Sequence, residues 1–222
     1  MTSSRLLVKI CGITTVRDLE VLAGADMVGV VIGVPASPRN RTWSEARDIF
    51  AAAHGQFVTV GVLLDPSISD VKEAVKVGAD LIQVHGKIPA DLPASLRSRV
   101  MPSVGLPGEG EKRGALNVPL PEGVEDYPFI HLDTAHPGSM GGKGEPSDRG
   151  MARRLVENHP AVRFLLSGGL TPDNVVGAIR EVCPAGVDVS TGVESSPGNK
   201  SPHKVALFIH TVRRWEARHP HA

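Results

Sequence analysis

Two glycine-centred stretches near the C-terminus carry the most readable chemistry: Ser167-Gly168-Gly169, which runs into Leu170-Thr171-Pro172, and Ser190-Thr191-Gly192. Backbone N–H groups left open by glycine, together with the N-terminus of a following helix, suit a phosphate group. Either stretch alone reads equally as an ordinary turn, and it is their occurrence in consecutive loops that favours an anion site at Gly168, Gly169, Thr191 and Gly192. Four other side chains could act on such a ligand: the Cys11 thiol, the Arg39 guanidinium, the His85 imidazole and the Asp133 carboxyl. A thiol is a base only as thiolate, and its pKa of about 8.5 could be lowered by a cationic loop or by Lys9, two residues earlier and on the same face if the strand continues that far. A carboxyl of ordinary pKa, about 3.9, is a useful acid near neutrality only when burial or a neighbouring negative charge raises it. Each residue has a plainer alternative. Cys11 can be a small buried hydrophobe, Asp133 a helix cap or loop ion pair, and Arg39 a solvated surface group with Arg41 close by. His85 can be satisfied by backbone at a strand end.

The elements that must position these groups follow from the apolar pattern. Leu6–Ile10 has the length of a buried strand and delivers Cys11 at its end. Met27–Ile32, Phe57–Leu64, Ala79–His85, Val100–Val104, Phe129–Leu132, Val162–Leu166 and Gly186–Val189 continue the series, the fifth being weak and interrupted by Pro102. Helices are predicted over 16–23, 43–53, 68–77, within 89–97, over 149–158, from the Pro172 region to Val182, and over 202–215. Thr14 or Thr15 and Thr42 are candidate caps, and Gly24 and Gly78 candidate stops. Gly and Pro make 106–126 a loop, and the tail beyond Trp215 is expected to fray. About eight strand–helix units with strands buried on both faces predict a single parallel (β/α)8 barrel spanning residues 1–217, with 218–222 a frayed tail. The catalytic face is then the C-terminal end of the strands, with phosphate at the seventh and eighth loops. An open doubly wound sheet is the alternative, and no Gly-x-Gly-x-x-Gly follows the first strand to support it.

Composition narrows the partners. Lys plus Arg and Asp plus Glu are 24 each in 222 residues, so no net field recruits nucleic acid or an anionic membrane. No run approaches the roughly 18 apolar residues of a membrane span, and Met-Thr-Ser-Ser is not the start of a signal peptide. Cys11 and Cys183 form no closely spaced metal-binding pair, which fits a cytoplasmic location; Cys183 is read as structural.

Against this background the chain resembles the phosphoribosylanthranilate isomerase family. The resemblance rests on Lys9-Ile10-Cys11-Gly12-Ile13-Thr14, Ser37-Pro38-Arg39, Gln83-Val84-His85-Gly86, Leu132-Asp133-Thr134, Gly141-Gly142, Ser167 through Asn174 and Val187 through Glu194. These occur in the family's order over nearly the whole chain. The resemblance implies an Amadori rearrangement of N-(5-phosphoribosyl)anthranilate with no metal or other cofactor. It assigns Asp133 as the acid that opens the furanose ring and Cys11 as the base that removes the C2 proton. It also implies Arg39 on the anthranilate carboxylate, with Lys9, His85 and Gly142 among the substrate-binding residues. The partner expected is a phosphorylated small molecule, and the protein a monomer or homodimer. The chain departs from the family pattern at Lys143–Arg149, where two aromatics and a lysine are missing. Two other readings follow from the same residues: a barrel isomerase for another phosphorylated aminoaldose, or a non-catalytic phosphosugar-binding protein. Cys11, where the related histidine-pathway enzyme has an aspartate, counts against the former.

Overall fold

Val, Ile and Leu dominate eight short runs that become parallel strands, each buried on both faces in the way the apolar composition demands. A computed structural model describes residues 5–108, 118–134 and 147–219. The strands are β1 (Leu7–Cys11), β2 (Met27–Ile32), β3 (Val58–Leu64), β4 (Leu81–His85), β5 (Val100–Leu106), β6 (Ile130–Thr134), β7 (Phe164–Leu166) and β8 (Gly186–Val189). Each pairs in parallel with its sequence neighbour, and β1 pairs with both β2 and β8, which closes the barrel. The fold is therefore the parallel (β/α)8 barrel that the alternation of elements predicts.

Among the described residues six α-helices cover the outside: α1 (Trp43–Ala53), α2 (Ile68–Lys76), α3 (Ala94–Arg97), α4 (Arg149–Asn158), α5 (Val175–Val182) and α6 (Pro202–Arg218). Their starts follow local chemistry. Thr42 and Ser67 form reciprocal capping boxes with Glu45 and Asp70, and Asp148 caps α4 by accepting from Met151 N. The segment after β1 is a 3-10 helix, Val16–Val21, capped by Thr15 with Asp18, and shorter than the helix predicted there. None of the described helices is long and apolar enough to cross a membrane.

Two apolar clusters separate strand faces. The larger lies between strands and helices, and a smaller one, with Met27, Val31, Val60, Val62, Met101, Phe129 and Leu165, fills the barrel interior below Cys11. Pro102 does not interrupt β5. The strand pairs with β4 up to Pro102 and with β6 from Ser103 onward, so the missing N–H falls where the ladder changes partner. The loop after β2 adds a short strand, Asn40–Arg41, and the loop after β8 forms a hairpin of Glu194–Ser196 with Asn199–Lys200.

The C-terminal segment is held rather than frayed at Glu216. Its carboxylate accepts from Leu6 N at 2.6 Å and from Arg213 Nη1 at 2.9 Å, while Arg213 also donates to the Leu6 and Gly24 carbonyls and pairs with Asp26. This cluster ties α6 to the entry of β1 and to the turn before β2. Glu216→Ala should lower the unfolding free energy by about 1.5–3 kcal/mol, the worth of a hydrogen bond to a charged group, in urea titrations; no change would mean that the tail contributes nothing.

Candidate active site

Strand periodicity places the site. Successive residues of a strand face opposite sides, so Cys11 at the end of β1 shares the interior with Lys9. A Cβ added to Gly29 of β2 would lie 3.0 Å from Cys11 Sγ and 3.1 Å from Lys9 Nζ. Thiol and ammonium thus both lie over the open backbone of Gly29, where a side chain would crowd them. Lys9 is 0% exposed, and its Nζ lies 3.0 Å from Oδ2 of Asp188 on β8, itself 3% exposed. His131 of β6 brings Nε2 to 2.8 Å from the same oxygen. Ser103 Oγ is 2.8 Å and Gln83 Nε2 3.3 Å from His131 Nδ1, and Gln83 Nε2 is 2.7 Å from His85 Nε2. A polar layer therefore crosses the barrel between the apolar interior and the mouth.

Electrostatics within this layer follow from burial and pairing. Burial works against the Lys9 ammonium, but Asp188 and the neighbouring thiol outweigh it and hold its pKa above the ordinary value. Burial would raise Asp188, yet Lys9 and His131 bring its pKa down to about 2. For Cys11 burial dominates and pushes the thiol up; Lys9 and Lys200 oppose that shift and Asp188 adds to it. The expectation that Lys9 lowers the thiol thus describes one contribution and not the net direction. Lys9 itself is enclosed beneath the thiol, paired with Asp188, and does not reach the mouth.

The rim holds the other groups. Asp133 lies within β6, which runs on to Thr134, and is 7% exposed with Oδ1 accepting from Thr134 N at 2.8 Å. His85 ends β4 and is partly buried; burial, then the neighbouring His131 and Lys9, lower its pKa to about 3, so its ring is neutral. Arg39 donates from Nε and Nη2 to the two Glu194 oxygens, each at 2.7 Å, and from Nη2 to Thr191 Oγ1 at 3.2 Å. Lys200 Nζ reaches the same carboxylate at 2.9 Å, so two cations share one buried anion and a net positive charge remains at the rim. Arg41, the sequence alternative, instead pairs with Glu45 on the outside.

The two glycine loops come together beside them. Gly168 has φ +87°, and a Cβ there would meet Thr134 Oγ1 at 2.5 Å; a Cβ on Gly192 would meet the Leu170 carbonyl at 1.9 Å. No larger residue fits at either point. Asn174 braces the first loop, accepting from Thr171 N and donating to the Gly169 carbonyl, both at 2.8 Å. Gly142 and most of the Lys143–Arg149 stretch lie outside the described residues; of the rest, Ser147 contacts the Ser167 carbonyl and Asp148 caps α4.

Residues 8–211 match the model of the N-(5'-phosphoribosyl)anthranilate isomerase family. The chain belongs to that family. Among curated phosphoribosylanthranilate isomerases, the one from Haloferax volcanii is 39% identical over 209 residues, covering 91% of this chain and 90% of its own. The Streptococcus pneumoniae protein is 36% identical over 214 residues, covering 95% and 98%. Of solved structures, the isomerase from Thermotoga maritima superposes with a TM-score of 0.75 at 33% identity, covering 94% of this chain and 99% of that one. A second isomerase structure, in complex with reduced 1-(o-carboxyphenylamino)-1-deoxyribulose 5-phosphate, has a TM-score of 0.72 at 30% identity with the same coverage. Family membership makes the protein an isomerase enzyme and places the rim just described at its catalytic end.

Sequence reasoning gave no role to Gln83, Ser103, His131, Asp188, Glu194 or Lys200, although Gln83, Asp188 and Glu194 stand in the motifs of the resemblance. A signal for three of them was present. Stepping back two positions along a strand from His85, Asp133 and Ser190 names Gln83, His131 and Asp188, just as the same step from Cys11 names Lys9.

The neutral His85 has a consequence for stability. The unfolded chain binds a proton at this histidine below about pH 6.5 and the folded one only near 3, so stability falls as pH drops through that window. His85→Gln should remove a slope of up to about 1.4 kcal/mol per pH unit between pH 6.5 and 4 in urea unfolding. An unchanged slope would show that the folded ring protonates as readily as the unfolded one.

Proposed function

We propose that the protein converts N-(5-phosphoribosyl)anthranilate to 1-(2-carboxyphenylamino)-1-deoxyribulose 5-phosphate in tryptophan biosynthesis, with Asp133 as general acid and Cys11 as general base. The observation that carries this reading is the placement of a buried thiol and a buried carboxyl on separated strands, β1 and β6, at the same rim as the paired glycine loops. The structural relative bound to a reduced form of that product supports the same choice of substrate.

The chemistry asks for two proton transfers to be kept apart. Asp133 gives a proton to the furanose ring oxygen as the C1–O bond breaks, and the nitrogen lone pair forms the Schiff base. Cys11, in the thiolate form that the neighbouring Lys9 ammonium favours against burial, then takes the C2 proton, and that bonding pair becomes the double bond of the enolamine. Tautomerisation moves a proton from the 2-hydroxyl to C1 by way of solvent and leaves the ketone. Exchange with water returns Asp133 to the acid and Cys11 to the thiolate.

Binding falls to the rim. Gly168, Gly169, Thr191 and Gly192 offer backbone N–H groups to the phosphate. Arg39, held by Glu194 through Nε and Nη2, has its Nη1 unpaired among the described residues and offers it to the anthranilate carboxylate. The net positive charge of Arg39 and Lys200 around Glu194 attracts a substrate that carries both a phosphate and a carboxylate.

Freshly prepared phosphoribosylanthranilate should lose its fluorescence rapidly with the wild-type protein. Cys11→Ala and Asp133→Asn should each slow that loss by at least about 100-fold while still binding a product analogue. Turnover at the wild-type rate in either variant would remove that residue from the mechanism, and a folded wild type without activity would remove the substrate.

A further inference from the structure

The interior polar layer has a direction in its hydrogen bonds that the two proton transfers do not use. It starts at Asp188, whose Oδ2 accepts from the Lys9 ammonium at 3.0 Å and faces His131 Nε2 at 2.8 Å. An ionised carboxylate cannot sit against a ring-nitrogen lone pair at that distance, so His131 Nε2 carries a proton. If the ring holds only this proton, Lys9 already neutralising Asp188, then Nδ1 is an acceptor. Ser103 Oγ at 2.8 Å supplies the donor to it.

Gln83 faces the same nitrogen at 3.3 Å. Its amide must present NH2 there, because its carbonyl would set lone pair against lone pair. The same NH2 lies 2.7 Å from His85 Nε2, which consequently accepts a hydrogen bond and carries no proton. This orientation leaves Gln83 Oε1 buried without a protein partner among the described residues.

We propose that His131 is a positioning residue which, acting through Gln83, fixes the proton of His85 on Nδ1, so that His85 meets the substrate as an N–H donor. The His85 ring stands edge-to-face with His131, centroids 5.8 Å apart, at the end of β4 on the rim that carries Cys11 and Asp133. Its Nδ1 has no partner among the described residues. The ring is neutral, so the donor is a single N–H and the position of one proton decides whether it is offered. The substrate's identity, though not the tautomer, rests on the isomerase reading above; phosphorylated sugar hydroxyls and the anthranilate carboxylate are the acceptors of the right chemistry.

The test is long-range proton–nitrogen NMR of the histidine rings in the ligand-free protein, with the His85 signals assigned by their loss in His85→Gln. Wild type should show His85 protonated at Nδ1 and bare at Nε2. His131→Asn keeps an acceptor where Nδ1 was and should retain that tautomer. His131→Leu removes the acceptor, frees the Gln83 amide to turn, and should shift His85 to protonation at Nε2 with KM for phosphoribosylanthranilate raised about five- to tenfold, the worth of one hydrogen bond. A wild-type His85 protonated at Nε2, or a His85 tautomer unaltered in folded His131→Leu, would overturn the proposal. Should His131→Leu not fold, the wild-type tautomer and its retention in His131→Asn still decide it. Absence of turnover in the wild type would refute the substrate and leave the tautomer result standing.

Discussion

The ion pair of Lys9 and Asp188, closed inside a barrel that apolar side chains could fill, is the constraint on which the site depends. Breaking a buried pair by removing one partner costs about 3–5 kcal/mol, whereas replacing both by apolar groups is often neutral. Stability alone therefore does not call for the pair. Its place does have a chemical consequence: the ammonium lies beside the Cys11 sulfur and the carboxylate anchors His131, so the charges of the rim's thiol and imidazole are set from below. Gly29 belongs to the same arrangement, since a side chain there would press on both the thiol and the ammonium.

The rim complements this layer with fixed positive ends. Glu194 is buried between Arg39 and Lys200, which holds Arg39 by a two-point contact and spares it the entropy of a free surface arginine. The glycine loops after β7 and β8 interlock at Gly192 and Leu170, so they pack as one unit rather than as two independent turns. A ligand with a phosphate at one end and a carboxylate at the other would span a rim whose centre carries the thiol and the carboxyl.

Much of this was legible in the sequence because the barrel writes itself in apolar runs and the rim in glycine. The alternation of elements, the cap Thr42, the choice of Thr14 or Thr15 for the first cap, and the gathering of Gly168, Gly169, Thr191 and Gly192 on two consecutive loops follow from local pattern alone. Pro102 misled as an interruption because sequence does not tell which neighbour a strand bonds at each residue. Glu216 misled as tail because its partner, the Leu6 backbone, lies 210 positions away. The polar interior stayed hidden for another reason. Gln83, His131 and Asp188 are flanked by apolar residues that face the helices, so hydropathy averages them into ordinary buried strands, and only the period of two separates the faces.

Direct titration of the Cys11 thiol, by thiolate ultraviolet absorbance in a Cys183→Ser background, tests the central claim that the buried pair acts on this thiol. Asp188→Asn removes the negative charge that raises the thiol and leaves the Lys9 ammonium unopposed, so the thiol is expected to titrate at clearly lower pH than in the parent protein. A titration that is unmoved, or moved upward, would contradict the control of Cys11 by the Lys9–Asp188 pair.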